Sequence, residues 1–313
     1  MWLVRYIPVE TRYRFMHYRH WALPLSAILS ILSIVAFLHL GMNTGIDFRG
    51  GTLVEMQARE GAADIAQIRA DGNALGFGQV EVQEFGGPRD VSLRVQIQDG
   101  GEAAQQAVVT SLRQTFEADY EFRRVEVVGP RVSAELVQSG TLGVVIAIMG
   151  VLVYLWFRFE WHFAIGAVIA TVHDLVLTIG FFAITQIDFN MTSIAAILTI
   201  LGYSLNDTVV IYDRIRETLR KYKKMSVVDI LDVGLNATLS RTILTGVTTF
   251  FALMALAILG GEIIRSFAYA MIFGLIVGTY SSIFVAAPIL IYLGVRQAPE
   301  AASEPAAEAK PAE

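Results

Sequence analysis

Six apolar runs, each close to the ~20 residues a helix needs to cross a hydrocarbon core, dominate this chain. They cover residues 21–40, 136–157, 163–184, 193–211, 242–259 and 263–292. In lipid the backbone must satisfy its own polar groups, so runs of this length can only be helices. At 54% hydrophobic and 17% charged, the 313-residue chain is also too apolar for a soluble domain. The expected fold class is an α-helical membrane protein with six transmembrane helices. The first run follows a basic leader (Arg5, Arg12, Arg14, Arg19), as a signal peptide would. Its apolar core exceeds the ~7–15 residues of an h-region, however, and no small-x-small cleavage site follows, so it is expected to be an uncleaved span.

Charge fixes the expected orientation. Lys221, Lys223 and Lys224 join Arg214, Arg216 and Arg220 in the connection between the fourth and fifth runs, and Arg158 sits in the turn between the second and third. With six crossings these positions and the leader share one side, which the positive-inside rule makes cytoplasmic, together with the C-terminus. Segment 41–134, where acids outnumber bases, then lies outside. The chain has no cysteine, which excludes disulfides and thiolate metal sites and is compatible with a bacterial envelope. After Gly294 the composition falls to Ala, Glu and Pro, so a disordered cytoplasmic tail is expected. The expected divisions are a leader (1–20), a first helix (21–40), an α/β domain (41–134), helices two to six (135–294) and the tail (295–313).

The outside segment alternates as strands over 52–58, 79–85, 92–97 and 122–128, with helical spacing over 63–75 and 102–116. Gly86-Gly87-Pro88 marks a turn between the second and third strands. The order β-α-β-β-α-β predicts an α+β ferredoxin-like domain between helices one and two. Just before it, Asp47-Phe48-Arg49-Gly50-Gly51 reads as a junction. Its glycines allow positive φ, and Asp47 and Arg49 could pair across it. No Gly-Lys-Thr follows, so it is not a phosphate loop.

Inside the fourth run lies Asp207. A carboxylate at mid-membrane costs roughly 2.5–3.5 kcal/mol on insertion scales, so it must face a partner, a cavity or a proton path. Thr199, Tyr203, Asn206 and Asp207 fall three or four apart, one polar stripe on a helix. Arg241 opens the next apolar run and is the candidate partner; the pair is either a structural tie between helices or part of a proton path. Asp213 lies near the boundary, where a solvated carboxylate is ordinary. In the third run His173 and Asp174 form a second polar pair, able to relay a proton or to hydrogen-bond across helices. The sixth run carries a small residue at every fourth position from Ala270 through Gly274, Gly278 and Ser282 to Ala286. That ladder permits close helix approach, within the bundle or against a second subunit.

These motifs resemble those of the SecD/SecF family, within the resistance-nodulation-division superfamily. The junction Gly45-Ile46-Asp47-Phe48-Arg49-Gly50-Gly51 matches the family's glycine-glycine signature. The stretch Gly202-Tyr203-Ser204-x-Asn206-Asp207-Thr208 through Glu217, with His173-Asp174 and 236–242, is similar to the SecF branch in particular. The resemblance covers nearly everything but the tail. It implies a non-enzymatic subunit of the bacterial inner-membrane export machinery, paired with SecD and associated with the SecYEG channel and often YajC. It implies that proton entry drives periplasmic domains that pull on an emerging preprotein. Asp207 and Arg241 match the family's intramembrane acid and base, with Asn206, His173 and Asp174 as further members of the expected proton path; a third charged residue belongs to SecD. No cofactor, metal or nucleic acid is implied. Weighed against this are a passive scaffold for SecD and the channel, half of a proton-driven small-molecule exporter, and an intramembrane aspartyl hydrolase using Asp174 and Asp207.

Overall fold

The computed structural model describes residues 11–260 and 262–295; the first ten leader residues and the expected tail at 297–313 lie outside them. Among the described residues six helices are long and apolar enough to cross a membrane: Phe15–Leu40, Pro130–Arg158, Trp161–Thr185, Met191–Lys221, Val227–Leu259 and Ile264–Tyr292. Several outrun their apolar cores, because a helix continues through polar sequence until something stops it. The helix α1 (Arg19–Leu40) stops at Gly41, with φ +67°. After the short α2 (Ile46–Arg49) and the α/β domain, α5 (Pro130–Arg158) opens on a proline, whose missing N–H costs nothing in a first turn. Next, α6 (Trp161–Thr185) closes on left-handed Gln186, and α7 (Met191–Lys221) starts from a capping box between Asn190 and Ser193. At ~1.5 Å per residue the 31 residues of α7 reach about 46 Å, well past a hydrocarbon core. Ser226 caps α8 (Val227–Leu259).

The last span is α9 (Glu262–Ser281), a π-helical turn Ser282–Ala286 and α10 (Ala287–Tyr292). Pro288 has no N–H and its ring crowds the carbonyl four residues back, at Phe284; the π turn absorbs this misfit.

Half or more of the apolar stretch is buried in α6, α7 and the last span, but under a fifth in α1, α5 and α8. Small residues set the central contacts. A Cβ at Gly274 would overlap Ile200, and one at Gly278 would lie 3.0 Å from the Ser204 Cβ. The small-residue ladder of the last span therefore packs on α7 of the same chain. Gly166 likewise admits the Tyr212 ring, and Gly234 admits Ile215.

Between α1 and α5 sits the α/β domain: β1 (Gly51–Ala58), α3 (Ile65–Ala74), β2 (Val80–Phe85), β3 (Gly87–Val95), α4 (Gly101–Phe116) and β4 (Tyr120–Val128). The sheet order is β2-β3-β1-β4 with every neighbour antiparallel, which is the ferredoxin-like arrangement. Alternate residues Val54, Met56, Val82, Val91 and Leu93 meet Ile68, Val108, Leu112 and Phe116 from the two helices to form its core. One local expectation fails: β3 begins at Gly87, not at residue 92. Gly86 alone turns the chain, at φ +67°, and Pro88 falls at the bulge where the ladder shifts from Glu84 to Phe85 and needs no donor.

Candidate functional site

The helices α7 and α8 form an antiparallel hairpin, and its geometry sets Asp207 and Arg241 level. Asp207 lies 14 residues before Lys221 (221 − 207) and Arg241 14 residues after Val227 (241 − 227), so each is about 21 Å from the hairpin tip. They do not pair. Asp207 is 3% exposed and its Oδ2 is buried without a hydrogen-bond partner among the described residues, whereas Arg241 is exposed and acts on it through its field. The reason is rotational. Ser204, Asp207, Thr208 and Ile211 share the inward face of α7, packed among helices of this chain. Thr199, Gly202 and Asn206 face out, and so do Ala237, Arg241 and Leu244 of α8. The polar stripe expected on one face is thus split, with Asp207 inside and Asn206 outside. A guanidinium with no ion pair among the described residues and an exposed amide at this depth are costly against lipid, so each calls for a polar partner.

One turn before Asp207 on the same face, Ser204 belongs to a second cluster. Asp174 of α6 is fully buried. Its Oδ1 lies 2.9 Å from the His173 Nδ1, while its Oδ2 accepts from the hydroxyls of Ser204 on α7 and, at 2.7 Å, Ser281 on α9. The His173 Nε2 is buried without a partner among the described residues. Below it, the Thr208 and Ser282 hydroxyls meet at 2.9 Å, and the Tyr212 hydroxyl donates to the Ala286 carbonyl of the π turn at 2.9 Å. The three central helices are therefore joined through one carboxylate, whose protonation state bears on all three. No group of His, Cys, Asp or Glu among the described residues could hold a metal ion.

At the sheet-bearing end of α7 the junction motif takes a form the sequence did not suggest. Asp47 and Arg49 do not pair with each other, because residues two apart on a helix point different ways. Instead the Asp47 carboxylate accepts from the Met191 N–H at 2.9 Å, capping α7, and the Arg49 Nε donates to the Thr44 hydroxyl at 2.6 Å. Gly50 and Gly51 take φ of +71° and +115°, and a Cβ at Gly51 would strike the Val95 carbonyl oxygen. Three residues not singled out in the sequence complete the joint. Arg94 of β3 pairs with Asp188, just ahead of α7, and donates to the Asn43 Oδ1 at 3.0 Å; Asn43 in turn donates to Asp188 at 2.8 Å.

The sheet face opposite the α3–α4 core looks toward the membrane helices across a cleft of about 930 Å³, lined by Glu55, Arg94, Arg124, Glu126, Asp188 and Tyr269 among others. Burial works against the Arg124 charge, but the hydrogen bonds and fields of Glu126 and Glu55 outweigh it and hold its pKa above the ordinary guanidinium value.

Six spans, a ferredoxin-like domain inserted after the first, and ionisable groups buried in the central helices define a polytopic membrane protein of the transporter type. The chain belongs to the SecD/SecF family: residues 107–296 match the protein export membrane protein SecD/SecF C-terminal family, and residues 35–62 match the SecD/SecF GG motif. It is 43% identical over 296 residues to the protein translocase subunit SecF of Rickettsia akari, covering 94% of this chain and 96% of that one. It is 45% identical over 293 residues to the SecDF of Brucella abortus, of which it spans 39%. Among solved structures it is similar to Thermus thermophilus SecDF, a translocon-associated membrane protein, with TM-score 0.82 and 30% identity over 94% of this chain and 39% of that one. SecDF in a super-membrane-facing form matches with TM-score 0.66.

Proposed function

We propose that this chain is a non-enzymatic subunit of a bacterial protein-export machine, working with SecD in the inner membrane to convert proton entry into late-stage preprotein translocation. The SecYEG channel and YajC are the further partners of this reading. The leader and C-terminus lie in the cytoplasm, and the α/β domain lies in the periplasm beside the emerging preprotein. Basic residues on the hairpin side and acidic excess in the α/β domain support that orientation.

The observation that carries the reading is the α7–α8 pair. Asp207 is buried with an oxygen that finds no partner among the described residues, and a level arginine is exposed, as Asn206 is. A scaffold needs no such arrangement, since each group costs stability where it stands. A proton carrier needs a carboxylate whose charge the surroundings do not fully neutralise, and an outward polar face that a second, SecD-like half completes. Chains that fuse the two halves, such as the SecDF of Brucella abortus, fit that division. One proton's charge moved through the whole field is worth ~2.3 kcal/mol per 100 mV.

The test is proton-motive-force-dependent preprotein export in vesicles containing SecD and the channel, comparing wild type with Asp207→Asn and checking assembly in parallel. Loss of the stimulated rate with intact assembly is expected. Undiminished stimulation would reduce the site to a structural one and leave the scaffold reading standing.

A further inference from the structure

We infer that Arg94 and Asp188, bridged by Asn43, are the positioning residues that make α7 and the α/β domain move as one body, so that a displacement begun at Asp207 reaches the sheet. The inference rests on the proton-coupled reading above and adds to it the element that transmits the motion.

The helix α7 runs unbroken from Met191 to Lys221, and Asp207 is 17 residues beyond its cap Asn190 (207 − 190), about 25 Å along a stiff rod. The rod's start is zipped to the junction motif by backbone bonds in both directions: Phe189 N–H to the Asn43 carbonyl and Gly45 N–H to the Phe189 carbonyl, each 2.8 Å. Phe48 stacks on Phe189 at 5.6 Å between ring centroids, and Asp47 caps Met191. These contacts tie α7 to the junction. They pass on into β1 only through the backbone at Gly50, and no side chain among them stands in the sheet.

Arg94 does. It is the last residue but one of β3, yet it is paired on both sides, with Leu53 of β1 and Glu81 of β2, so it is held by the sheet's own ladder. Its two terminal nitrogens divide between Asp188 and Asn43, and Asn43 closes the triangle onto Asp188. The Arg94 side chain is 11% exposed and that of Asp188 34%, so the pair is shielded on the arginine side and partly screened on the other. A planar guanidinium fork fixes direction as well as distance, which a lysine in its place would not. This contact between the sheet and the segment leading into α7 is charged, with Arg94 fixed in the ladder and Asp188 two residues ahead of the α7 cap Asn190.

The experiment uses vesicles carrying the chain with SecD and the channel, and reads two quantities: force-stimulated export, and proton entry through the complex. Arg94→Gln and Asp188→Asn are each expected to lose stimulated export while proton entry stays at the wild-type rate. Arg94→Lys is expected to lose it in part, and Arg94→Asp with Asp188→Arg to recover more than either single reversal. Full stimulation in Arg94→Gln and Asp188→Asn would overturn the inference. So would loss of proton entry together with export in both, and in Arg94→Lys as well, for then the joint only holds the fold. Asp207→Asn is run beside them. If that variant keeps both stimulated export and proton entry, the proton-coupled reading itself fails, and that lane alone reports it.

Discussion

Replacing Gly274 by Ala places a methyl group against Ile200 across the α7–α9 contact. The three atoms nearest the new Cβ all belong to the Ile200 side chain, with Cγ2 at 2.7 Å. Ile200 must therefore yield, and at 2% exposed it has little room to rotate. Overpacking of this kind costs about 1–3 kcal/mol. Ile200→Ala removes all three clashing atoms and alone costs about 2–5 kcal/mol through the cavity it leaves. Combined, the methyl at 274 enters part of that cavity, so the double variant is expected to be more stable than the sum of the singles by about 1–3 kcal/mol. The assay is a double-mutant cycle on the purified protein in mixed micelles, following helix loss against denaturing detergent. Additivity within about 0.5 kcal/mol would refute the reasoning, because residues that do not touch do not couple.

Three further outcomes follow from the junction and the buried cluster. Gly51→Ala is expected to cost well over the ~1–2 kcal/mol of a left-handed residue, because its Cβ meets the backbone at Val95; Gly50→Ala should be milder, since the Ile97 side-chain tip can move. Protease sensitivity of residues 41–52 ranks the two, and equal sensitivity would count against the assigned geometry. Asp47→Ala removes a charged acceptor from the Met191 N–H, worth about 1.5–3 kcal/mol, and should speed amide exchange in the first turn of α7 by tenfold or more. Unchanged exchange there would show that Asp47 does not cap the helix. Ser281→Ala leaves Asp174 with one donor fewer, an expected loss of about 1–3 kcal/mol in micelle stability, which Ser281→Thr should restore in part. Equal stability of the Ala and Thr variants would mean the hydroxyl does not matter.

The spans were legible because lipid leaves a run of ~20 apolar residues no alternative to a helix. The ferredoxin-like order was legible because alternation in β1 and β3 and helical spacing in α4 each announce their period. Side-chain direction was not. Asp207 and Asn206 are neighbours in sequence, yet one faces the bundle and the other faces out, and only the packing of α7 against α6 and α9 decides which. The joint was invisible for a different reason. Asn43, Arg94 and Asp188 are ordinary polar residues in a loop, a strand and a loop, and their meeting depends on how the domain sits over the helices. The Asn190–Ser193 capping box found in the structure marks where α7 starts, and it says nothing of what grips the start.

The α/β domain hangs between its two flanking helices with almost no slack. Gly50 alone separates α2 from β1, and Gly129 alone separates β4 from α5. A tethered domain on long linkers would sweep a volume and search for its target; this one follows the tilt of the helices that hold it. Besides the grip of α7 at Arg94, its aim is therefore set by whatever leans on α5, a helix this chain leaves largely uncovered along the membrane. A neighbour packed there would hold the rudder of the domain without ever touching it.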